Sequence, residues 1–338
     1  MFAELIEKLR RRRDLTEIEA SEAMVEIMEG RATSAQIAGM LVALSMKGEK
    51  PEEIVGLART MRAHAVPMSR SFDDVFDTCG TGGDRLHTFN VSSLAALTIA
   101  ACGVRVAKHG NRSVSSSCGS ADLFEALGVD VSASVETVER CFADVGIAFF
   151  FAPTFHPSMR HAAQTRRDLG VRTAFNLLGP LTNPAGARRQ IVGVPGPQHT
   201  DLLARALGRL GSERVWVVHG ADGLDEISMS GYTKVTECRR GMVRTFYTHP
   251  SDFGVEPTSL DVLRVSGRDE SVEVARRVLA GEGGPARQFV LVNAAAGLVV
   301  EGRAASFVEG MTLASAALDE GRVAQKLEAL AECSRRVA

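Results

Sequence analysis

The sequence of 338 residues lacks the features typical of disulfide-rich, zinc-binding, secreted and membrane proteins. Its six cysteines stand at least sixteen positions apart without a C-x-x-C pair, which argues against zinc ligation and a disulfide framework and favours reduced cytosolic thiols. Residues 1–13 contain no apolar segment typical of a signal peptide, and no apolar run is long enough to span a bilayer. The formal net charge of −2 is not the basic excess of nucleic-acid-binding proteins. We therefore expect a cytoplasmic protein with no membrane and no nucleic-acid partner.

Several common catalytic motifs are also absent. No Gly-Lys-Ser or Gly-Lys-Thr follows the glycines near residue 80, so they form no P-loop, and Arg85 occupies the third glycine position of a dinucleotide fingerprint. The Gly-x-Ser-x-Gly pattern of serine hydrolases is missing. His109, His156 and His161 have no carboxylate paired with them in the sequence, so we assign no general acid or base.

What the sequence does contain is the pattern of a helical region followed by an α/β region. Residues 1 to about 66 read as helices, because Thr16–Glu19 and Thr33–Gln36 are capping boxes that each open an amphipathic run. From about Phe72, short apolar runs alternate with helical stretches, which predicts a mostly parallel sheet with ligands at the carboxyl ends of its strands. The predicted strands are Val75–Thr78, Val104–Ala107, Ile147–Phe151, Gln190–Val194, Val215–His219, Lys234–Glu237, Val243–Tyr247 and Val290–Asn293. The predicted helices of this region are Ser92–Cys102, Asp122–Leu127, Glu136–Asp144, Thr200–Leu210, Glu270–Ala280 and Ser306–Leu330. The segment Arg160–Pro184 is helical in character and serves either as a hinge or as part of the helical region.

Two loops that follow predicted strands have the composition of phosphate-binding loops. Asp77–Asp84 is rich in glycine, which allows positive φ and close approach of backbone N–H groups to an anion. Lys108–Arg112 is a cationic turn at the end of the next strand and precedes a dense run of serines. A plain tight turn and a solvated loop are the alternatives for the two segments. Their occurrence together predicts a substrate with more than one phosphate group.

Two further groups extend this predicted site. Thr88, Asn90, Ser92 and Ser93 open the next helix, where they could hold phosphate or Mg²⁺, and helix capping accounts for one or two of them but not for all four. Asp222–Glu226 is an acidic turn after a strand, and adjacent carboxylates suit Mg²⁺ with substrate phosphates. A solvent-facing acidic turn is the alternative for this segment.

Six motifs in the same order resemble the anthranilate phosphoribosyltransferase family of tryptophan biosynthesis, nearly end to end. They are Gly80–Asp84, Thr88–Ser93, Lys108–Ser113, Gly119–Asp122, Arg172–Pro184 and Asp222–Glu226. The resemblance implies transfer of the phosphoribosyl group from 5-phosphoribosyl 1-diphosphate to the amine of anthranilate, with two Mg²⁺ ions. It also implies an α/β fold in which a small all-helical N-terminal domain is hinged to a larger domain with a mostly parallel central sheet. The expected helical domain covers residues 1–70 with a contribution from about 160–184, the α/β domain covers 71–159 and 185–338, and a homodimer forms through the helical domain.

The resemblance also assigns site residues. The phosphoribosyl donor would contact Gly80, Gly83, Asp84, Thr88, Asn90, Val91, Ser92, Ser93, Lys108, His109, Gly110, Asn111, Arg112, Ser113, Val114, Ser115, Ser116 and Ser120. Anthranilate would contact Gly80, Asn111, His156 and Arg166, and the metal ligands would be Ser92, Asp225 and Glu226.

The family pattern is broken at three places, and two other functions stay open. Arg85 stands where glycine is usual and should stiffen the turn, Ser93 stands where threonine is usual, and Ser117–Cys118 stands where Lys-Ser is frequent. A pyrimidine nucleoside phosphorylase shares the architecture, but its motifs differ in these loops. A nucleic-acid-binding paralogue without activity would lack the Asp225–Glu226 pair and would carry a basic excess.

Overall fold

The computed structural model of the protein describes residues 1–112 and 118–336. The helices are α1 Phe2–Arg10, α2 Glu17–Met28, α3 Ser34–Lys47, α4 Pro51–Ala63, α5 Val91–Ala101, α6 Ser120–Ala126, α7 Val135–Asp144, α8 Ala152–Phe155, α9 Arg160–Leu169, α10 Ala174–Leu177, α11 Gln198–Arg209, α12 Arg268–Leu279, α13 Pro285–Glu301, α14 Phe307–Asp319 and α15 Arg322–Arg335. The strands are β1 Phe76–Asp77, β2 Val106–Gly110, β3 Ile147–Phe151, β4 Arg189–Gly193, β5 Arg214–Gly220, β6 Thr233–Arg239 and β7 Met242–Thr248.

The N-terminal residues form helices where the capping signals predict them. In α2 the Thr16 hydroxyl accepts a hydrogen bond from the N–H of Glu19, whose side chain accepts one from the Thr16 N–H. Thr33 and Gln36 make the same reciprocal pair at the start of α3. These bonds satisfy backbone donors that a helix start otherwise leaves unpaired. Both predicted capping boxes are confirmed.

The seven strands form one sheet in the order β3-β2-β1-β4-β5-β6-β7. The pairs from β3 to β5 are parallel, and β6 and β7 add an antiparallel hairpin at one edge. The chain leaves β1 for β2 on one side, whereas β4 pairs with β1 on the other side. The carboxyl ends of β1 and β4 therefore lie at a topological switch point, which is where open α/β sheets bind ligands.

Two hydrophobic cores lie on opposite faces of this sheet, and β5 contributes to both. Val215 and Val217 belong to the core shared with α1–α4 and α11, whereas Trp216 and Val218 belong to the core shared with α5 and α13. The alternation follows from the period of two residues along a strand. The helical region thus packs on one sheet face through α11. No helix within the described residues is both long and apolar enough to cross a lipid bilayer.

Two of the predicted elements are wrong. Val290–Asn293 is not a strand but the centre of α13, whose residues from Phe289 to Leu298 are all buried. A short apolar run that is buried on every side has the same sequence pattern in a helix as in a strand, so periodicity does not distinguish the two. The predicted helix Ser306–Leu330 is two helices, α14 and α15, because Gly321 between them adopts a φ of 71°.

Candidate active site

The predicted glycine loop, defined here as Thr78–Asp84, lies at the switch point directly after β1. Gly82 and Gly83 have φ values of 63° and 96°, which glycine adopts at no steric penalty. The Thr78 hydroxyl donates to the Ser92 carbonyl over 3.0 Å, and the Thr81 N–H donates to the Gly193 carbonyl over 2.9 Å. The loop is therefore tied to the start of α5 on one side and to the end of β4 on the other.

Gly193 brings the glycine loop and the acidic turn, defined here as Asp222–Glu226, onto the same point of the sheet. A Cβ atom built on Gly80 would lie 3.1 Å from the Gly193 carbonyl oxygen, and a Cβ atom on Gly193 would collide with the Asp225 carbonyl. The contact with Asp225 therefore requires a glycine at the end of β4, and the contact with the loop leaves little room for a side chain at Gly80. Sequence reasoning missed this residue, although a glycine that closes an apolar strand is a signal of close backbone approach.

The acidic turn has a structural carboxylate and two carboxylates that face the glycine loop. Asp222 accepts hydrogen bonds from the Leu224 N–H at 3.1 Å and the Ser230 hydroxyl at 2.5 Å, which shape the turn. The Asp225 side chain hydrogen-bonds to Asp84, and the Glu226 side chain hydrogen-bonds to Ser92. A narrow cleft lies beside these groups. It is lined by Thr78, Gly80, Ser92, Ala95, Ile191, Gly193, Glu226 and Asn293.

The carboxyl groups of this cluster lie buried beside one another, and both effects disfavour their charged forms. Burial and the neighbouring Asp84 raise the pKa of Asp225 to about 8. Burial and the neighbouring Asp225 raise the pKa of Glu226 well above its usual range. Carboxyl groups held together in this way suit a divalent cation, because the cation offsets both the burial and the mutual repulsion of their charged forms. The donor set of the site thus fits Mg²⁺.

The residues Lys108–Gly110 belong to β2 and do not form the predicted cationic turn. Successive side chains of a strand point to opposite faces, so Lys108 and His109 diverge. The buried Lys108 ammonium donates to the Thr78 carbonyl over 3.2 Å at the base of the glycine loop. The His109 ring hydrogen-bonds to the Gly179 carbonyl over 3.1 Å through Nδ1. The lysine charge therefore faces the site, whereas the imidazole faces the 172–184 segment.

The segment after β2 packs against the start of α6. The Asn111 carbonyl accepts from the Ala121 N–H at 3.2 Å and from the Ser120 hydroxyl at 3.4 Å. A Cβ atom on Gly110 would collide with the Ser120 hydroxyl. Arg112 is exposed and donates to Asp122 at 3.1 Å and to Glu125 at 2.9 Å, so its guanidinium is engaged by acids of α6. The predicted donor contacts Ser113, Val114, Ser115 and Ser116 lie outside the described residues.

The polar residues at the start of α5 are not used as helix caps. Asn90 is the N-cap residue, but its side chain donates to the Cys118 carbonyl over 2.8 Å and caps nothing. Val91 and Ser93 are buried, whereas Ser92 is partly exposed beside Glu226. Thr88 pairs with Arg264 in an isolated antiparallel bridge. The alternative explanation of these groups as ordinary caps therefore fails for Asn90 and leaves Ser92 facing the acidic turn.

Two of the residues predicted to contact anthranilate, His156 and Arg166, have different surroundings. His156 is buried, its Nε2 lies 3.0 Å from the Thr182 carbonyl, and its ring centroid lies 5.4 Å from that of His109. Burial lowers the pKa of His156 to about 4, and burial with the neighbouring His156 lowers that of His109 to about 3. Arg166 lies on α9, with its guanidinium 5.9 Å from the Phe175 ring. Within residues 1–112 and 118–336, no carboxylate lies within 4.0 Å of that guanidinium.

Two residues of the 172–184 segment reach the sheet edge, and sequence reasoning assigned neither a role. The Arg172 guanidinium donates to the Thr81 carbonyl over 3.2 Å. The Asn183 amide donates to the Asp77 carboxylate over 2.7 Å and to the Ala107 carbonyl over 2.9 Å. Burial raises the pKa of Asp77 to about 6, and the Lys108 charge and the Asn183 amide oppose that rise. The segment carries one of the six family motifs, but its contacts depend on the tertiary fold.

Comparison with known proteins identifies the same two-part organisation. Residues 3–65 match the helical bundle domain of a glycosyl transferase family, and residues 73–324 match its α/β domain. The curated anthranilate phosphoribosyltransferase of Moorella thermoacetica is 52% identical over 94% of this chain and 93% of its own length.

Solved structures agree with this match. The anthranilate phosphoribosyltransferase of Thermus thermophilus superposes with a TM-score of 0.91 at 43% identity, covering 98% of this chain and 99% of that one. The Saccharomyces cerevisiae enzyme in complex with PRPP and Mg superposes with a TM-score of 0.90 at 27% identity, covering 98% and 97% of the two chains. This chain therefore belongs to the anthranilate phosphoribosyltransferase family.

Proposed function

We propose that this protein transfers the phosphoribosyl group of 5-phosphoribosyl 1-diphosphate to the amine of anthranilate, giving N-(5-phosphoribosyl)anthranilate and diphosphate. One observation carries the proposal. The glycine loop, the buried Lys108 ammonium and the Asp225–Glu226 carboxylates converge on one point of the sheet edge, in a chain whose relatives bear the name of this activity. No observation favours a nucleoside phosphorylase or a nucleic-acid-binding paralogue.

The donor diphosphate would lie over the glycine loop and the start of α5. Backbone N–H groups of the loop and the hydroxyl of Ser92 supply neutral donors, and Lys108 supplies the positive charge beneath the loop. The ribose and its 5-phosphate would extend toward the residues that follow β2, including Asn111 and Ser120. In this position the donor would contact the donor-binding residues predicted from the sequence.

Magnesium would be held by Ser92, Asp225 and Glu226, with two ions per site. When bound, it would offset the negative charge of the diphosphate leaving group. The support is the charge of the donor set. Asp84, Asp225 and Glu226 lie together, and the pKa values of Asp225 and Glu226 are raised first by burial and then by that proximity. A divalent cation would stabilise these buried, adjacent carboxyl groups more than it would stabilise the exposed carboxylates of an ordinary surface turn.

In the reaction, the anthranilate nitrogen forms a bond to ribose C1 while the bond from C1 to the diphosphate oxygen breaks. The nitrogen then releases one proton to water. An aromatic amine is neutral at pH 7, so its lone pair is available without prior deprotonation. No general base is therefore required, and the two histidines assigned to the site, His109 and His156, are buried and hydrogen-bonded to backbone carbonyls. The enzyme contributes by positioning the amine and stabilising the leaving group.

Arg166 and Asn111 would orient anthranilate, with Gly80 lining both substrates and His156 behind the acceptor. The support for Arg166 is that its guanidinium lies on the Phe175 ring face with no carboxylate within 4.0 Å in the described part of the chain. A guanidinium without an ion-pair partner can bind the carboxylate of anthranilate in bidentate geometry.

The domain organisation and assembly are part of the same proposal. Residues 1–70 with about 160–184 would move as a helical domain against residues 71–159 and 185–338, and closure would exclude water from the activated ribose. Two copies would pair through the helical domain, in the cytoplasm. Free thiols agree with that location, since no disulfide forms within the described residues.

Anthranilate fluorescence tests the proposed reaction directly. Purified protein is mixed with anthranilate, the phosphoribosyl donor and Mg²⁺, and the loss of anthranilate signal is followed. We expect a loss that requires all three components. No loss, with donor binding intact by calorimetry, would retain the phosphate site and overturn the assignment of anthranilate as acceptor.

A further inference from the structure

The Thr81 peptide is held from two directions, which singles it out within the glycine loop. Its N–H donates to the Gly193 carbonyl over 2.9 Å, and its carbonyl accepts from the Arg172 guanidinium over 3.2 Å. The same guanidinium lies where a Cβ atom of Gly83 would be, so the loop backbone packs directly on it. Arg172 thus contacts the loop at two of its residues, from a segment more than eighty positions along the chain.

The charges around Arg172 leave it available for this contact. Within residues 1–112 and 118–336, no carboxylate lies within 4.0 Å of its guanidinium, although Asp225 attracts it from farther away and Arg85 repels it. A guanidinium with a carboxylate partner would be held by that partner. Here the hydrogen bond to the Thr81 carbonyl is the contact that fixes the side chain, and in return it fixes the loop.

We propose that Arg172 is a positioning residue for the phosphoribosyl donor, because it presses the glycine loop against Gly193 and so holds the loop N–H groups beside the acidic turn. The inference rests on the proposed function for the identity of the ligand. Gly193 is the common point, since it contacts the loop through its carbonyl and the backbone of Asp225 through its Cα. Release of Arg172 frees the Thr81 carbonyl and loosens the register between loop and turn, while the side chains assigned to anthranilate, which lie outside the glycine loop, stay in place.

The test compares Arg172→Gln with Arg85→Gln. Both variants remove one positive charge from the loop region, but Arg85 is exposed and makes no bond to Thr81. We expect Arg172→Gln to raise the donor KM about tenfold or more, as for loss of a charge-assisted hydrogen bond, with the anthranilate KM changed less than twofold. Arg85→Gln should change the donor KM by a much smaller factor. Equal effects of the two variants would mean that only net charge matters and would overturn the inference, as would a parallel rise of both KM values in Arg172→Gln.

Hydrogen exchange of the substrate-free protein provides a second readout. Backbone amides of residues 79–84 should exchange faster in Arg172→Gln than in the wild-type protein, and unchanged exchange would overturn the proposed positioning role. Arg172→Lys keeps the positive charge and replaces Arg172→Gln in these measurements if the latter fails to fold. It should still raise the donor KM selectively, because an ammonium cannot span both Thr81 and Gly83. The exchange result needs no turnover, so it separates failure of this inference from failure of the anthranilate reaction.

Discussion

Replacing Asp225 by asparagine should make the metal-free protein more stable and the enzyme less active. The Asp225 carboxyl lies beside Asp84 and Glu226, and burial with the Asp84 charge raises its pKa to about 8. Asparagine keeps the shape but does not titrate, so the free-energy cost of burying this carboxyl beside Asp84 disappears. The same change removes a proposed metal ligand, and we expect kcat/KM to fall by about 10²-fold or more, as for other losses of electrostatic stabilisation in active sites.

The stability gain depends on pH, and its sign follows from proton linkage. Between the ordinary pKa of 3.8 and about 8, the folded protein holds a proton on Asp225 that the unfolded chain releases. The wild-type protein therefore loses stability as pH rises through this range, by at most about 1.4 kcal/mol per pH unit. From pH 5 to pH 7 this amounts to at most about 2.7 kcal/mol. Unfolding entropy is about 2.1 cal/mol/K per residue, so for 338 residues this change in free energy corresponds to a shift of about 4 °C in Tm.

The assay is thermal unfolding in chelator at pH 5 and pH 7 for wild type and Asp225→Asn. The Tm of the variant minus that of the wild type should increase by up to about 4 °C between the two pH values. Asp73→Asn, which changes an exposed aspartate outside the site, is the control and should show no such increase. A Tm difference that does not change with pH, or that changes equally for Asp73→Asn, would refute the account of this carboxylate cluster.

Three further substitutions test separate parts of the structure. Arg166→Ala should raise the anthranilate KM much more than the donor KM. The control Arg167→Ala, on the exposed face of the same helix, should change neither KM. Steady-state kinetics with each substrate varied in turn measure both values. Arg85→Gly should raise the free energy of unfolding in denaturant titrations by about 1 kcal/mol, because Arg85 has a φ of 61° and only glycine adopts that conformation without strain. Gly193→Ala should lower kcat/KM at least about tenfold by driving a Cβ atom into the backbone of the acidic turn. Gly231→Ala, where a Cβ atom would meet nothing within 4 Å, should leave kcat/KM unchanged.

Much of the fold was predictable because it depends on local signals. The capping boxes at Thr16 and Thr33 start helices through bonds that span three residues. Apolar runs such as Ile147–Phe151 form buried parallel strands whose continuous hydrophobicity is visible in the sequence. The prediction failed at Val290–Asn293, where α13 is buried on every side and its periodicity disappears. Local pattern thus sufficed for these elements, but it misassigned α13 and merged α14 with α15.

The sequence by itself determined which chemical groups are available: a glycine loop, a lysine at the end of the next strand, and a pair of adjacent carboxylates. Only the tertiary structure decided how they meet. The strand order places β1 beside β4, so Gly193 receives the Thr81 N–H on one side and the Asp225 backbone on the other. Strand order and the path of the 172–184 segment are set by long-range packing, which no local window of sequence contains. For that reason the contact of Arg172 with the glycine loop was absent from the sequence analysis and emerged only from the fold.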